Sequence, residues 1–141
     1  MKRSAQIILL NGVGSSGKSS IAKELQKIVG RPFLHVQMDD FCAMLPEALQ
    51  DHPDGFAFEE TSENGKPLAV IRTGPVGDRA LRGMRHAIAA MAAQGNNLIV
   101  DDVMLENERE EYETLLSGFE TFFVGVFAAL EVLEARERQQ I

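Results

Sequence analysis

Short apolar runs alternate with helix-periodic segments along the chain. Four runs have the continuous apolar character of buried parallel strands, at 6–10, 33–38, 97–102 and 121–127. Helical spacing predicts one helix that starts near Lys18. It predicts further helices over about 76–93, 106–118 and 128–141. Repeated strand–helix units predict an α/β fold of three layers, with a parallel sheet covered on both faces.

The helix predicted over 76–93 has the clearest pattern. Leu81, Met84, Ile88 and Met91 recur on one face, and Gly95 lies just past the expected end. Arg79, Arg82 and Arg85 are also spaced three residues apart and share a face. We interpret these arginines as a solvated face with local ion pairs, and contact with an acceptor or a phosphate is the alternative.

Residues 51–75 break the alternation. An Asn-Gly pair at 64–65 separates two short mixed runs, which favours a β-hairpin. Long excursions in compact domains are usually functional or disordered, so we interpret this segment as a flap or insertion on the substrate side. The chain as a whole is consistent with one domain over 1–141 that contains this segment.

The turn after the first strand permits two interpretations. Gly12, Gly14 and Gly17 spell G-x-G-x-x-G, which is typical of dinucleotide-binding folds. Gly12 and Gly17 with Lys18 and Ser19 also spell G-x-x-x-x-G-K-S, the phosphate-binding loop of ATP- and GTP-using proteins. The first motif predicts hydride transfer with NAD, and the second predicts phosphoryl transfer.

The phosphate-loop interpretation accounts for more residues. A dinucleotide fold would use Asp39 on the ribose, but it needs two mononucleotide halves and has no use for Lys18 or Ser19. In the phosphate loop, Ser19 and Asp101 are candidate ligands of Mg²⁺, and Lys18 neutralises the β- and γ-phosphates. The predicted ATP-binding residues are Gly12, Val13, Gly14, Ser15, Ser16, Gly17, Lys18, Ser19 and Ser20.

Asp39 distinguishes a kinase from other phosphate-loop proteins. It follows the second strand, whose carboxyl end opens on the same crevice as the loop in a doubly wound sheet. A carboxylate there can accept the proton of an attacking substrate hydroxyl. The alternative is that Asp39 or Asp40 caps a helix starting near Phe41. We assign catalysis to Asp39 and capping to Asp40. A guanine-reading motif is not visible, which argues against a GTPase.

The composition of the chain indicates which binding partners and which cellular compartment to expect. A net charge of −7 argues against a nucleic-acid partner, and no apolar run approaches the length of a membrane span. The single cysteine, Cys42, fits a reducing cytoplasm. His35 and His86 are interpreted as packed or surface groups.

Four blocks of the chain, in order, resemble the chloramphenicol phosphotransferase-like family of small phosphate-loop kinases. They are "IILLNGVGSSGKSSIAKELQ", "FLHVQMDDF", "GPVGDRALRGMRHAIAAMAAQGNNLIVDDVML" and "FFVGVFAALEVLEARE". The resemblance implies ATP as phosphoryl donor and Asp39 as general base. It also implies a hydroxylated small molecule as acceptor, which for the type enzyme is an antibiotic.

The chain departs from the family in two respects. Asp39-Asp40 replaces an Asp-Ser pair, and the family continues beyond "EARERQQI" into an arginine-bearing lid, a last strand and a last helix. We therefore interpret 1–141 as one kinase domain that is incomplete at its C-terminus, and we expect it to bind nucleotide without detectable turnover. An ATP-binding regulatory module without an acceptor and an NAD-linked oxidoreductase are the alternative functions.

Overall fold

The structure is a computed structural model that describes residues 3–12, 17–63, 66–104 and 107–127. Its strands are β1 (Arg3–Asn11), β2 (Phe33–Gln37), β3 (Phe56–Glu63), β4 (Lys66–Thr73), β5 (Asn97–Asp102) and β6 (Phe119–Gly125). Its helices are α1 (Lys18–Ile28), α2 (Met38–Ala43), α3 (Pro75–Ala93) and α4 (Glu108–Leu115), with a 3₁₀ turn at Glu47–Leu49. Contacts divide the chain into two compact units, 1–38 with 85–141, and 39–84.

The first unit contains a parallel sheet of four strands in the order β2-β5-β1-β6. The predicted α/β fold with a parallel sheet is therefore confirmed. Strand β5 lies between β1 and β2, so both of its edges are paired. Leu98, Ile99 and Val100 are fully buried, and because successive side chains point to opposite faces, both faces of β5 are covered. This placement brings the carboxyl ends of β1, β2 and β5 to one edge of the sheet.

Helix α1 packs on the sheet through small and aliphatic side chains. Ala22 is fully buried in a cluster with Leu10, Phe33, Ile99 and Val126. Burial of apolar surface is worth roughly 25 cal/mol per Å², so this cluster holds the start of α1 against the strand ends. The glycine-rich turn that joins β1 to α1 is thereby fixed at both of its ends.

Helix α3 confirms the predicted core face. Leu81, Met84 and Ile88 are buried, while Met91 is half-buried. Gly95 adopts φ 94°, a left-handed conformation that favours glycine after a helix. The arginine face is partly different from the prediction, because Arg79 and Arg82 are exposed but Arg85 is buried.

The second unit contains the predicted hairpin. Strands β3 and β4 pair antiparallel from Phe56↔Thr73 to Glu63↔Lys66. The base of the hairpin is tied to the first turn of α3, because Gly74 donates to the Gly55 carbonyl and Val76 donates to the Asp54 carbonyl, both at 2.9 Å. The Asn-Gly pair lies outside the described residues.

Two predictions concern other parts of the chain. The C-terminal helix predicted over 128–141 lies outside the described residues. None of the described helices combines the length and the apolar character needed to cross a membrane.

Candidate functional site

The glycine turn delivers the start of α1 to the edge of the parallel sheet. Strand β1 ends at Asn11, and α1 begins at Lys18 after Gly17, whose φ of 102° is readily adopted only by glycine. Four of the predicted phosphate-binding residues, 13–16, lie outside the described residues. The described part therefore supplies the two ends of the loop.

Lys18 is bonded across this turn. Its Nζ donates to the carbonyl oxygen of Gly12 at 2.5 Å, and the residue is buried although it is charged. Buried charges are normally paired, and a phosphate on the loop would supply a strong partner for this ammonium. The next residue, Ser19, lies 3.4 Å from Gln37 Oε1 through its Oγ, whereas Ser20 is exposed.

Asp101 ends β5 beside both neighbouring strands. Its backbone pairs with Leu10 of β1 and with Gln37 of β2. Because Ser19 contacts Gln37, the predicted hydroxyl and carboxylate ligands of Mg²⁺ meet the same end of β2. The Asp101 carboxylate accepts from His35, with 2.5 Å between Nε2 and Oδ2.

These residues fit a magnesium ion bound with a nucleotide. Hydroxyl and carboxylate oxygens are ligands that Mg²⁺ prefers, and the remaining positions are filled by water and phosphate oxygens in phosphate-loop proteins. Within the described ranges, no group of three or more His, Cys, Asp or Glu side chains is arranged to hold a metal.

Asp102 takes the opposite face of β5, because adjacent strand residues point to opposite sides. It is almost fully buried, and Tyr112 Oη donates to its Oδ2 at 2.7 Å. Burial raises the pKa of Asp102, although the Tyr112 hydrogen bond and the Arg85 charge act to lower it. Burial and the nearby Asp102 carboxylate also raise the pKa of the Tyr112 hydroxyl. Asp102 is therefore part of a buried polar cluster.

Arg85 completes that cluster from α3. Its NH1 lies 3.5 Å from Glu108 Oε1, and its Nε lies 3.3 Å from Glu111 Oε1. These are ion-pair distances, but neither nitrogen has a hydrogen bond with good geometry. We predicted a solvated arginine with local ion pairs at this position. That prediction is wrong for Arg85, because the residue is buried and its ion-pair partners lie on α4 and not on its own helix.

Asp39 and Asp40 both lie in the first turn of α2 and are exposed. The helix begins at Met38 instead of near Phe41, so Asp40 lies within the helix and not before it. Carboxylates in a first helical turn interact favourably with the helix dipole, which accounts for an acidic pair here without a capping bond. The catalytic role of Asp39 stays a prediction.

Two positions near the site were not recognised in the sequence. His35 contacts Asp101, and Asn11 Oδ1 accepts from the Met104 backbone N–H at 2.9 Å. Asn11 thereby ties the entrance of the glycine turn to the segment after β5. Strand alternation places His35 and Gln37 on one face of β2, but their partners depend on strand order, which short-range patterns do not encode.

Comparison with known proteins agrees with this architecture. A curated Mycobacterium tuberculosis protein named "Putative O-phosphotransferase" is 29% identical over 141 residues, and the match covers 96% of this chain and 63% of that protein. The chain thus spans less than two thirds of the length of this curated relative.

Solved structures show the same fold at low sequence identity. A gluconokinase from Sinorhizobium meliloti is 20% identical with a TM-score of 0.60, and 99% of this chain covers 67% of that one. A sugar kinase from Janibacter is also 20% identical with a TM-score of 0.60, and 97% of this chain covers 68% of that one. The family model described as chloramphenicol phosphotransferase-like protein matches residues 5–141. The chain belongs to the chloramphenicol phosphotransferase-like family, as its sequence blocks predicted.

Proposed function

We propose that this chain binds Mg·ATP and is the nucleotide-binding part of a kinase. The kinase would transfer the γ-phosphoryl group to a hydroxyl of a small molecule. Two observations at the glycine turn carry the proposal. Lys18 Nζ donates to the Gly12 carbonyl, and Ser19 Oγ contacts Gln37, the β2 residue that pairs with Asp101. Family membership supports phosphotransferase chemistry. The donor, the metal and the acceptor are our inferences.

Each residue has a defined task in this proposal. The Lys18 ammonium lies beside the start of α1, where the helix dipole also favours negative charge, so it would neutralise the β- and γ-phosphates. Ser19 Oγ and Asp101 would hold Mg²⁺, which when bound shields charge on the phosphates.

Asp39 is the proposed general base. It comes two residues after Gln37, so chain connectivity limits how far it can lie from the carboxyl end of β2. Its carboxylate would accept the proton from the acceptor hydroxyl as the oxygen attacks phosphorus. An exposed carboxylate in a first helical turn is accessible to a small substrate.

Binding is tested by calorimetric titration of the 141-residue chain with ATP and with NAD, each with and without Mg²⁺. We expect Mg²⁺-dependent ATP binding that is lost in Lys18→Ala. Lys23→Ala is the matched control, because Lys23 is exposed on the same helix. NAD binding without ATP binding would overturn the kinase proposal and favour an oxidoreductase.

Catalysis is tested in the full-length protein with ATP and a panel of hydroxylated small molecules. Asp39→Ala should lower turnover by about 10²–10⁴-fold while ATP affinity stays unchanged. Asp40→Ala is the matched control on the adjacent, equally exposed residue. Normal turnover in Asp39→Ala would move the base elsewhere. ATP binding with no phosphorylated product from any compound would favour a regulatory module.

A further inference from the structure

His35 is a nearly buried side chain that the proposed function does not use. It lies in the middle of β2, and only 9% of its side chain is exposed. Its Nε2 is 2.5 Å from Oδ2 of Asp101, whose side chain is 11% exposed. A carboxylate with so little access to water needs a hydrogen-bond donor, and the imidazole supplies one.

The contact follows from the register of two parallel strands. His35 pairs with Ile99, and Gln37 pairs with Asp101. Side chains two residues apart on a strand share a face, so His35 and Gln37 point to the same side of the sheet. Gln37 contacts Ser19 while His35 contacts Asp101, so β2 supports both of the proposed metal ligands.

We infer that His35 is a positioning residue for the magnesium site. The Nε2–H of His35 holds one carboxylate oxygen of Asp101, Oδ2, so the carboxylate keeps a fixed orientation at the end of β5. The other oxygen, Oδ1, would then be left to serve Mg²⁺, through water, when the ion is bound. This inference rests on the proposed function, because it assigns His35 a role only if Asp101 serves Mg²⁺.

The alternative is that His35 contributes only packing. It neighbours the buried strand β5, and an aromatic ring there fills space whatever its hydrogen bonds. The two roles differ in what they require of the side chain. A positioning role needs an N–H donor that reaches Asp101, whereas a packing role needs only volume.

The test measures how ATP affinity depends on Mg²⁺ concentration, using calorimetry on the 141-residue chain. His35→Leu keeps bulk but removes the donor, and we expect about 10–100-fold more Mg²⁺ to be needed for half-maximal enhancement of ATP binding. ATP affinity without Mg²⁺ should stay unchanged. His35→Gln places an amide N–H near the position of Nε2 and should restore most of the wild-type Mg²⁺ dependence.

Two further comparisons separate positioning from packing. In an Asp101→Asn background, His35→Leu should have no further effect on the Mg²⁺ dependence. His86→Leu is the matched control, because His86 is a largely exposed histidine on α3. Circular dichroism checks folding. If His35→Leu does not fold, His35→Gln is compared with His35→Asn, whose shorter amide should fall short of Asp101 and weaken the Mg²⁺ dependence.

The possible results separate the positioning role of His35 from the existence of the metal site. Equal Mg²⁺ dependence in wild type and His35→Leu would overturn the positioning role, as would equal losses in His35→Leu and His35→Gln. ATP binding in wild type that does not respond to Mg²⁺ would instead refute the metal site itself, and the role of His35 with it.

Discussion

The hydroxyl of Tyr112 stabilises a carboxylate that is otherwise deprived of water. Tyr112 is fully buried on α4, and its Oη lies 2.7 Å from Asp102 Oδ2. The other carboxylate oxygen, Oδ1, is buried without a hydrogen-bond partner. Tyr112→Phe keeps the ring and removes the hydroxyl, so it leaves the Asp102 carboxylate with one donor fewer in a dry environment.

The expected loss of stability follows from that geometry. A buried polar group left unsatisfied lowers the free energy of unfolding by about 1–3 kcal/mol. With a urea m-value of about 2 kcal/mol/M for a chain of this size, the midpoint should fall by about 0.5–1.5 M. The chain has no tryptophan and Tyr112 is its single tyrosine, so unfolding is best followed by far-UV circular dichroism.

Thr114→Val is the matched control for this prediction. Thr114 lies on the same helix, and its exposed hydroxyl donates to the Glu110 carbonyl. Its removal should change the free energy of unfolding by no more than about 0.5 kcal/mol. In an Asp102→Leu background, Tyr112→Phe should lose most of its effect because the acceptor is gone. A Tyr112→Phe protein as stable as Thr114→Val would refute the stabilising role of the hydroxyl.

Two further predictions compare neighbouring positions of α3. Arg85→Met removes a buried cation that lies at ion-pair distance from Glu108 and Glu111, whose carboxylates are partly exposed to water, and should lower the free energy of unfolding by about 1–3 kcal/mol. Exposed Arg82→Met should change it by less than about 0.5 kcal/mol in the same urea titration. Equal effects would show that the buried ion pairs contribute nothing. Gly77→Ala places a Cβ 2.3 Å from the Gly55 carbonyl oxygen and should lower the free energy of unfolding by about 1–3 kcal/mol. The Cβ of Gly83→Ala has no atom within 4 Å, so this substitution should raise the free energy of unfolding by about 0.5–1 kcal/mol. Melting temperatures that shift in the same direction for both glycines would contradict this contact.

Structural features that depend on one short segment of the chain were predicted correctly from the sequence. The run at 97–102 is a buried strand, and α3 buries the apolar face that its spacing indicated. Both patterns arise because burial repeats with the period of the local structure, two residues on a strand and 3.6 on a helix. The hairpin at 56–73 was predicted by its turn residues for the same reason, since turn chemistry is local.

Features that depend on distant segments were missed. Arg85 is buried because Glu108 and Glu111 of α4 lie against it, more than twenty residues later in the chain. The role of His35 depends on the pairing of β2 with β5 across more than sixty residues. Arg85 was predicted to be solvated and His35 to be a packed or surface group. Neither partner could be predicted, because short-range spacing does not encode which strands or helices are neighbours.

The acidic pair that ends β5 shows how strand alternation places two adjacent identical residues in different surroundings. Asp101 and Asp102 are identical in sequence terms, but the strand sends them to opposite faces of the sheet. Asp101 meets His35 of β2 at the edge near the glycine turn, and Asp102 meets Tyr112 of α4 in a closed polar cluster. The Asp102 carboxylate is almost fully buried and its pKa is raised, so we assign the proposed metal role to Asp101. The Asp102 cluster in turn fixes the end of β5, and a fixed strand end is what allows His35 to set the orientation of the Asp101 carboxylate.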